Sequence, residues 1–208
     1  MKKISFVNVS NNNESLEIFQ LNYQKKSGTV LPLNYLQQSY SMLFVKGEKV
    51  LGGYVLNGNA PYRYLSFFNE EQKELLLNTH MLREEELLEI TCNWIAPRLS
   101  FNEWIYYYGF MFIHTLWVAI KLNKRKIIGG SVVPRLQLMQ RQILTKLIYC
   151  SFISQAQSIV SEPKGILMIY YNSVSGFFAQ MIGSFIRRIF MPQSNRKKVK
   201  WVSVGRRR

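Results

Sequence analysis

Over residues 87–95 apolar and polar side chains alternate along the chain. Read with the two-residue period of a strand, the stretch places Leu88, Ile90, Cys92 and Trp94 on one face and Glu89, Thr91 and Asn93 on the other. Residues 102–122, which follow, have helical spacing and so little polarity that other elements must cover them on nearly every side. The strand is therefore expected to be central. A carboxylate in the middle of a central strand is costly unless it is paired, protonated or used in chemistry, so Glu89 is the residue to explain.

The rest of the chain alternates strand and helix. Residues 4–9 read as a strand, and 14–26 as a helix with Leu16, Phe19, Leu21 and Tyr23 on one side. Residues 40–45 and 50–56 form a hairpin closed by Lys46, Gly47, Glu48 and Lys49. The turn cluster of residues 57–61 leads into an extended segment over 62–68, and 70–78 is a short helix with an acidic first turn. Then come a strand at 127–132, a helix opened by Pro134 and running to about residue 144, and strands at 147–153 and 166–171. The last helix, 175–190, carries Phe177, Phe178, Met181, Phe185 and Ile189 as an apolar stripe. Residues 105–120 have no formal charge if His114 is neutral, which raises a membrane span as an alternative. The run is short for a bilayer and contains Tyr106, Tyr107, Tyr108, Gly109, His114 and Thr115. A helix laid on a sheet accounts for the same residues.

Composition adds three constraints. With 208 residues and 48% hydrophobic content, the chain suits one domain, 1–191, with a basic tail, 192–208. Two cysteines, Cys92 and Cys150, indicate neither a disulfide framework nor a zinc site, and residues 1–14 lack the apolar region of a signal peptide, so a cytoplasmic protein is expected. The net charge of +15 calls for an anionic partner: nucleic acid, anionic lipid or an acidic protein. No recognised motif accompanies the nucleic-acid option. The helix ending at Arg187 and Arg188 is compatible with peripheral membrane contact.

This order of elements, with the segment from Glu89 to Trp94, resembles that of the GNAT-type N-acyltransferases over approximately residues 5–171. The resemblance implies an α/β fold with a mixed, mostly antiparallel central sheet flanked by helices and splayed between the fourth and fifth strands, here 87–95 and 127–132. The acyl-thioester arm of the donor enters that gap. The family's glycine-containing pyrophosphate loop is missing: residues 95–102, with Pro97 and Arg98, contain no glycine. Backbone N–H groups approach phosphate most easily through glycines, so tight coenzyme A recognition is weakened. Branches without a good loop take long acyl chains from acyl carrier protein. The chain looks like these, namely acyl-homoserine-lactone synthases, toxin-activating lysine acyltransferases and enzymes that fatty-acylate lysine or ornithine in ribosomal peptides. The donor is then acyl-ACP or acyl-CoA, the acceptor a peptide or small amine, and the +15 charge suits an acidic carrier protein. The apolar excess of residues 104–120 would line a tunnel for the acyl chain.

Attack on a thioester needs a neutral amine, and a lysine amine is mostly protonated at pH 7. The resemblance implies a carboxylate base in this strand, acting through water, which makes Glu89 the candidate; an ion pair with a nearby Arg or Lys is the alternative. Thr91 and Asn93 would hold the water or touch the acceptor. Trp94, Arg98, Gly129, Gly130 and Ser131 would contact substrate along the cleft. His114 is a second candidate base, or else a core histidine. Tyr149 would protonate the leaving thiolate, with Tyr170 and Tyr171 equally eligible. Cys92, on the apolar face, is not expected to be a nucleophile.

Overall fold

A computed structural model of the chain describes residues 3–153 and 165–190. Strands β1 (Ile4–Asn8), β2 (Tyr40–Lys46), β3 (Lys49–Asn57), β4 (Leu87–Ile95), β5 (Lys126–Ser131), β6 (Lys146–Ile153) and β7 (Gly165–Ser173) form one sheet in the order β1-β2-β3-β4-β5-β7-β6. Every neighbouring pair is antiparallel except β4 and β5, which run parallel. Helices α4 (Phe101–Lys121), α5 (Pro134–Ile143) and α6 (Val174–Phe190) cover one face. The opposite face is covered by α1 (Asn13–Ser27) and α2 (Leu33–Gln37) over β2–β4, and by a 3-10 turn (Leu65–Phe67) and α3 (Glu70–Thr79) toward β6. The basic tail, 192–208, lies outside the described residues.

Local chemistry fixes the helix ends. Asn12 caps α1, accepting from the Ser15 N–H at 2.9 Å, and Gly28 at φ 75° closes it. In α4 the Ser100 hydroxyl accepts from the Glu103 N–H and the Glu103 carboxylate accepts from the Ser100 N–H at 2.8 Å, a reciprocal capping box. Lys46 of β2 reaches the same carboxylate at 2.8 Å. The long apolar pattern of α4 is explained by its position: Tyr107, Met111, Thr115 and Val118 lie against the sheet, and Tyr108 and Phe112 are buried beside them. Among the described residues no helix is long and apolar enough to cross a membrane.

The structure corrects the sequence reading at three places. Residues 62–68 are not extended but form turns and the 3-10 helix, following a cis Ala60–Pro61 peptide. Helix α2 goes unrecognised in the sequence, because five residues are too short for periodicity to register. The third correction is in β4. Gly53 pairs with Trp94 and Val55 with Thr91, so Tyr54 alone faces both Cys92 and Asn93. Cys92 takes a positive φ of 52°, a left-handed conformation that costs a non-glycine residue about 1–2 kcal/mol. The bulge inverts the alternation. Glu89 and Thr91 share the α1 and α2 side of the sheet with Cys92 and Trp94, while Asn93 and Ile95 turn to the α4 side with Leu88 and Ile90.

Candidate active site

Pairing between β4 and β5 runs from Leu87 with Lys126 to Ile90 with Gly129 and stops there. Beyond that point β4 continues to Ile95, held by β3, while β5 continues through Gly130 and Ser131, held by β7. The two parallel strands thus fork. Past Ile90, the edge of β4 turned away from β3 has no strand partner among the described residues. An unpaired strand edge of this kind accepts an extended amide-containing chain by main-chain hydrogen bonds.

Glycines set the packing at the base of the fork. A Cβ on Gly130 would lie 2.9 Å from the Tyr64 ring and 3.0 Å from the Met168 carbonyl oxygen, and one on Gly129 would lie 2.8 Å from Leu144. Tyr64 closes the fork on one face and Leu144 on the other. On the α4 face, the buried Tyr107 hydroxyl lies 2.8 Å from both the Gly53 carbonyl and Asn93 Oδ1, a bond that holds the bulge. A Cβ on Gly52 would meet Tyr107 at 3.2 Å, so this glycine lets α4 approach the sheet.

Glu89 is wholly buried and fully engaged. Its Oε1 accepts from the Tyr64 N–H at 2.8 Å, and its Oε2 from the Arg63 N–H at 3.0 Å and the Tyr35 hydroxyl at 2.8 Å. Burial pushes its pKa up, and the hydrogen bonds and the Arg63 charge pull only part of the way back. Arg63 itself lies between the strand and α1, its guanidinium donating to the Tyr23 hydroxyl, Thr91 Oγ1 and Cys92 Sγ, each at 3.0 Å. The expected polar row of Glu89, Thr91 and Asn93 facing the cleft is therefore replaced by a buried network. In it a strand carboxylate ties down the loop of residues 60–65, and Asn93 is on the other side of the sheet.

The remaining candidates are scattered. Trp94 packs edge-on against Phe19 of α1. Arg98 is exposed in the loop before α4. The Ser131 hydroxyl accepts from the Val133 N–H just ahead of α5. His114 sits on the α4 side of the sheet, its Nδ1 2.8 Å from the Tyr54 hydroxyl and its ring against Trp117, and burial holds its pKa down to about 4. Tyr149, on β6, packs against Phe68 and lines a cleft of about 480 Å³ with Leu75, Leu76 and His80. With β5 and β7 between them, β6 stands roughly 14 Å from β4 at ordinary strand spacing. Tyr170 is the tyrosine beside the fork, paired with Gly129 and buried. Trp104, Tyr108 and Phe112 line a groove against α5 and α6, but it is only about 30 Å³, far from a fatty-acyl tunnel.

Arg63, Tyr64, Tyr35 and Tyr107 are the residues that sequence reasoning missed. The available signal was the aromatic and basic cluster Tyr62, Arg63 and Tyr64 after a turn, unusual for an exposed loop.

No known family profile and no curated protein sequence matches the chain. The fold, in contrast, has solved counterparts. FeeM, an N-acyl amino acid synthase from uncultured soil microbes, superposes with a TM-score of 0.58 at 12% identity, covering 89% of this chain and 98% of that one. MesI, a CoA-dependent acyl-homoserine lactone synthase, superposes with a TM-score of 0.51 at 16% identity, covering 88% and 95%. The described strands form a mixed sheet with one parallel pair, and the fold is GNAT-like.

Proposed function

We propose that this protein is an N-acyltransferase that moves an acyl group from a thioester donor to an amine. The observation that carries the reading is the fork between β4 and β5, with the bulge at Cys92 turning the strand just beyond the last paired residue. The donor's pantetheine amides add to the free edge of β4. Backbone N–H groups near residues 93–95 then stabilise the oxyanion as the amine attacks the thioester carbonyl. The C–N bond forms, the C–S bond breaks, and the amine proton ends on the departing thiol. Tyr170, beside Gly129, replaces Tyr149 as the hydroxyl suited to hydrogen-bond that thiolate.

Glu89 acts by position. Both of its oxygens are committed to donors, so its work is to hold Arg63 and Tyr64 at the base of the fork rather than to accept the substrate proton. The acceptor amine's own titration then governs the rate. Asn93, tied to Tyr107 on the other face, fixes the bulge.

The donor reading favours acyl carrier protein over coenzyme A. The N-terminus of α4, where a diphosphate would be held in a glycine loop, is filled by the protein's own carboxylate. Glu103 bonds Ser100 and Lys46, and these contacts hold its pKa down to about 2, so it is ionised throughout the physiological range. A diphosphate there would meet a like charge. Carrier-protein donors present only a phosphodiester at the mouth of the cleft. The similarity to FeeM and MesI supports acyl transfer to an amine and not this choice of donor, since MesI is CoA-dependent. A lysine or ornithine side chain of a peptide, or a free amino acid, is the acceptor class.

The test is intact mass spectrometry of lysine peptides and free amino acids incubated with the protein and either palmitoyl-loaded carrier protein or palmitoyl-CoA. One added acyl group on an amine is the expected result. Donor hydrolysis alone, or no consumption of either donor, would overturn the proposal.

A further inference from the structure

We propose that the outer surface of the α4 and α6 helices docks on an anionic lipid bilayer. On α4, the positions opposite the buried stripe are Tyr106, Ile113, Trp117 and Ile120, spaced for a single face of the helix. All four are exposed, Ile113 at 64% and Ile120 at 70%. On α6 the buried Phe177 and Met181 leave Phe178, Ile182 and Ile186 on the outward side, again exposed. The two helices lie in one layer on the same sheet face, with Phe112 and Phe177 in edge contact at 5.6 Å, so Ile113, Ile120 and the α6 row face away from the sheet, while Tyr106 and Trp117 are half exposed beside Phe6 and Tyr40 at the edge of the layer. Two rows of aliphatic and aromatic side chains exposed on one helix layer exceed the scatter of single apolar residues expected on a protein surface.

The charge distribution identifies the partner. Before Trp104 the sequence has ten basic and eleven acidic residues; from Trp104 onward it has seventeen basic and one acidic, Glu162. The positive excess therefore belongs to the part of the chain from Trp104 onward; eight of those seventeen basic residues, Lys164 and the seven after residue 191, lie outside the described residues. Exposed Lys121, Arg135, Arg141 and Arg187 flank the stripes, and the acid of α4, Glu103, is paired with Lys46. The acids of the first half gather elsewhere, on α3 with Glu70, Glu71 and Glu74, and at residues 84–86. Lys121 lies over the Trp117 ring at 4.8 Å and over Tyr40 at 5.6 Å. A cation on an aromatic ring beside an aliphatic row suits the headgroup level of a membrane, where ring and ammonium are both accommodated. An acidic protein would be drawn by the charges but leaves the two aliphatic rows without a use. This surface does not depend on the acyl-transfer reading, and insertion is shallow, since no described helix can span a bilayer.

The experiment is co-sedimentation of the full chain with vesicles of phosphatidylcholine alone or mixed with one third phosphatidylglycerol, in low and high salt. The wild type is expected to bind the anionic vesicles and to retain part of that binding in high salt. The triple variant Ile113→Ser, Ile120→Ser, Ile182→Ser changes only exposed positions, and its fold is checked by circular dichroism. It is expected to bind about tenfold or more weakly. Brominated lipid is expected to quench tryptophan fluorescence in the wild type, with most of the quenching lost in Trp117→Phe. Equal binding by the triple variant, or binding abolished by salt, means adhesion by cations alone and overturns the proposal. So does a protein that ignores vesicles but self-associates, or captures acidic carrier protein, through the same residues.

Discussion

The Tyr64 N–H donates to Glu89 Oε1 at 2.8 Å, joining a loop to a strand twenty-five residues later in the chain. That bond and its companion from the Arg63 N–H make the carboxylate an anchor for the segment that closes the fork. In Glu89→Gln the new amide must face one of the two backbone donors, whichever way it is turned. An unsatisfied buried donor costs about 1–3 kcal/mol. Chemical denaturation should show a loss of that size. A variant as stable as the wild type would contradict the anchoring role. With Glu89 acting by position, kcat/KM should keep rising with pH toward the acceptor amine's pKa, whereas a profile levelling off at mildly acidic pH would make Glu89 the base.

Gly130 tests the closed base of the fork. An alanine methyl would lie 2.9 Å from the Tyr64 ring and 3.0 Å from a carbonyl oxygen, forcing one or both strands to move. Overpacking of this kind costs about 1–3 kcal/mol. Gly130→Ala should therefore lower the thermal midpoint and raise KM for the acyl donor. Gly183→Ala, inside α6 where an added methyl meets nothing within 4 Å, is the control: it should leave KM unchanged and raise the thermal midpoint slightly, as alanine for glycine within a helix does.

Glu103 makes the capping of α4 sensitive to acid. Its pKa is held down to about 2 by Lys46 and Ser100, below the ordinary carboxylate value of 4.5. The stabilisation is thus complete above pH 4.5 and is lost as pH falls through about 2. Glu103→Gln should be less stable than the wild type at pH 7, and the gap should close in strong acid when both are followed by urea denaturation. The same variant should improve the use of acyl-CoA relative to acyl carrier protein; an unchanged donor ratio would remove the electrostatic argument for a carrier donor.

His114 has the same proton preference at higher pH. Burial lowers its pKa from 6.5 to about 4, so the folded protein holds it neutral where the unfolded chain would protonate it. The unfolded state binds more protons between those values, and stability must fall as pH drops from 6.5 toward 4. His114→Phe should flatten that part of the stability curve. A slope identical to the wild type's over this range would show that another group is responsible.

Much of this molecule was legible before folding. The hairpin, α1, α3, α4, α5, α6 and the later strands follow from periodicity and end signals that operate within a few residues, as with Pro134 at the start of α5. The loop without glycine ahead of α4 was equally plain. The alternation of residues 87–95 correctly gave a strand but wrongly gave its faces. A bulge depends on the partner strand, here Tyr54 opposite two residues, and on Tyr107 from a helix that comes later. The environment of Glu89 was likewise hidden, because Tyr35, Arg63 and Tyr64 reach it from 25 to 54 residues away. Local hydrogen bonds and apolar spacing set the elements. Only their assembly in three dimensions decided which side chains meet and that a conspicuous carboxylate is sealed inside.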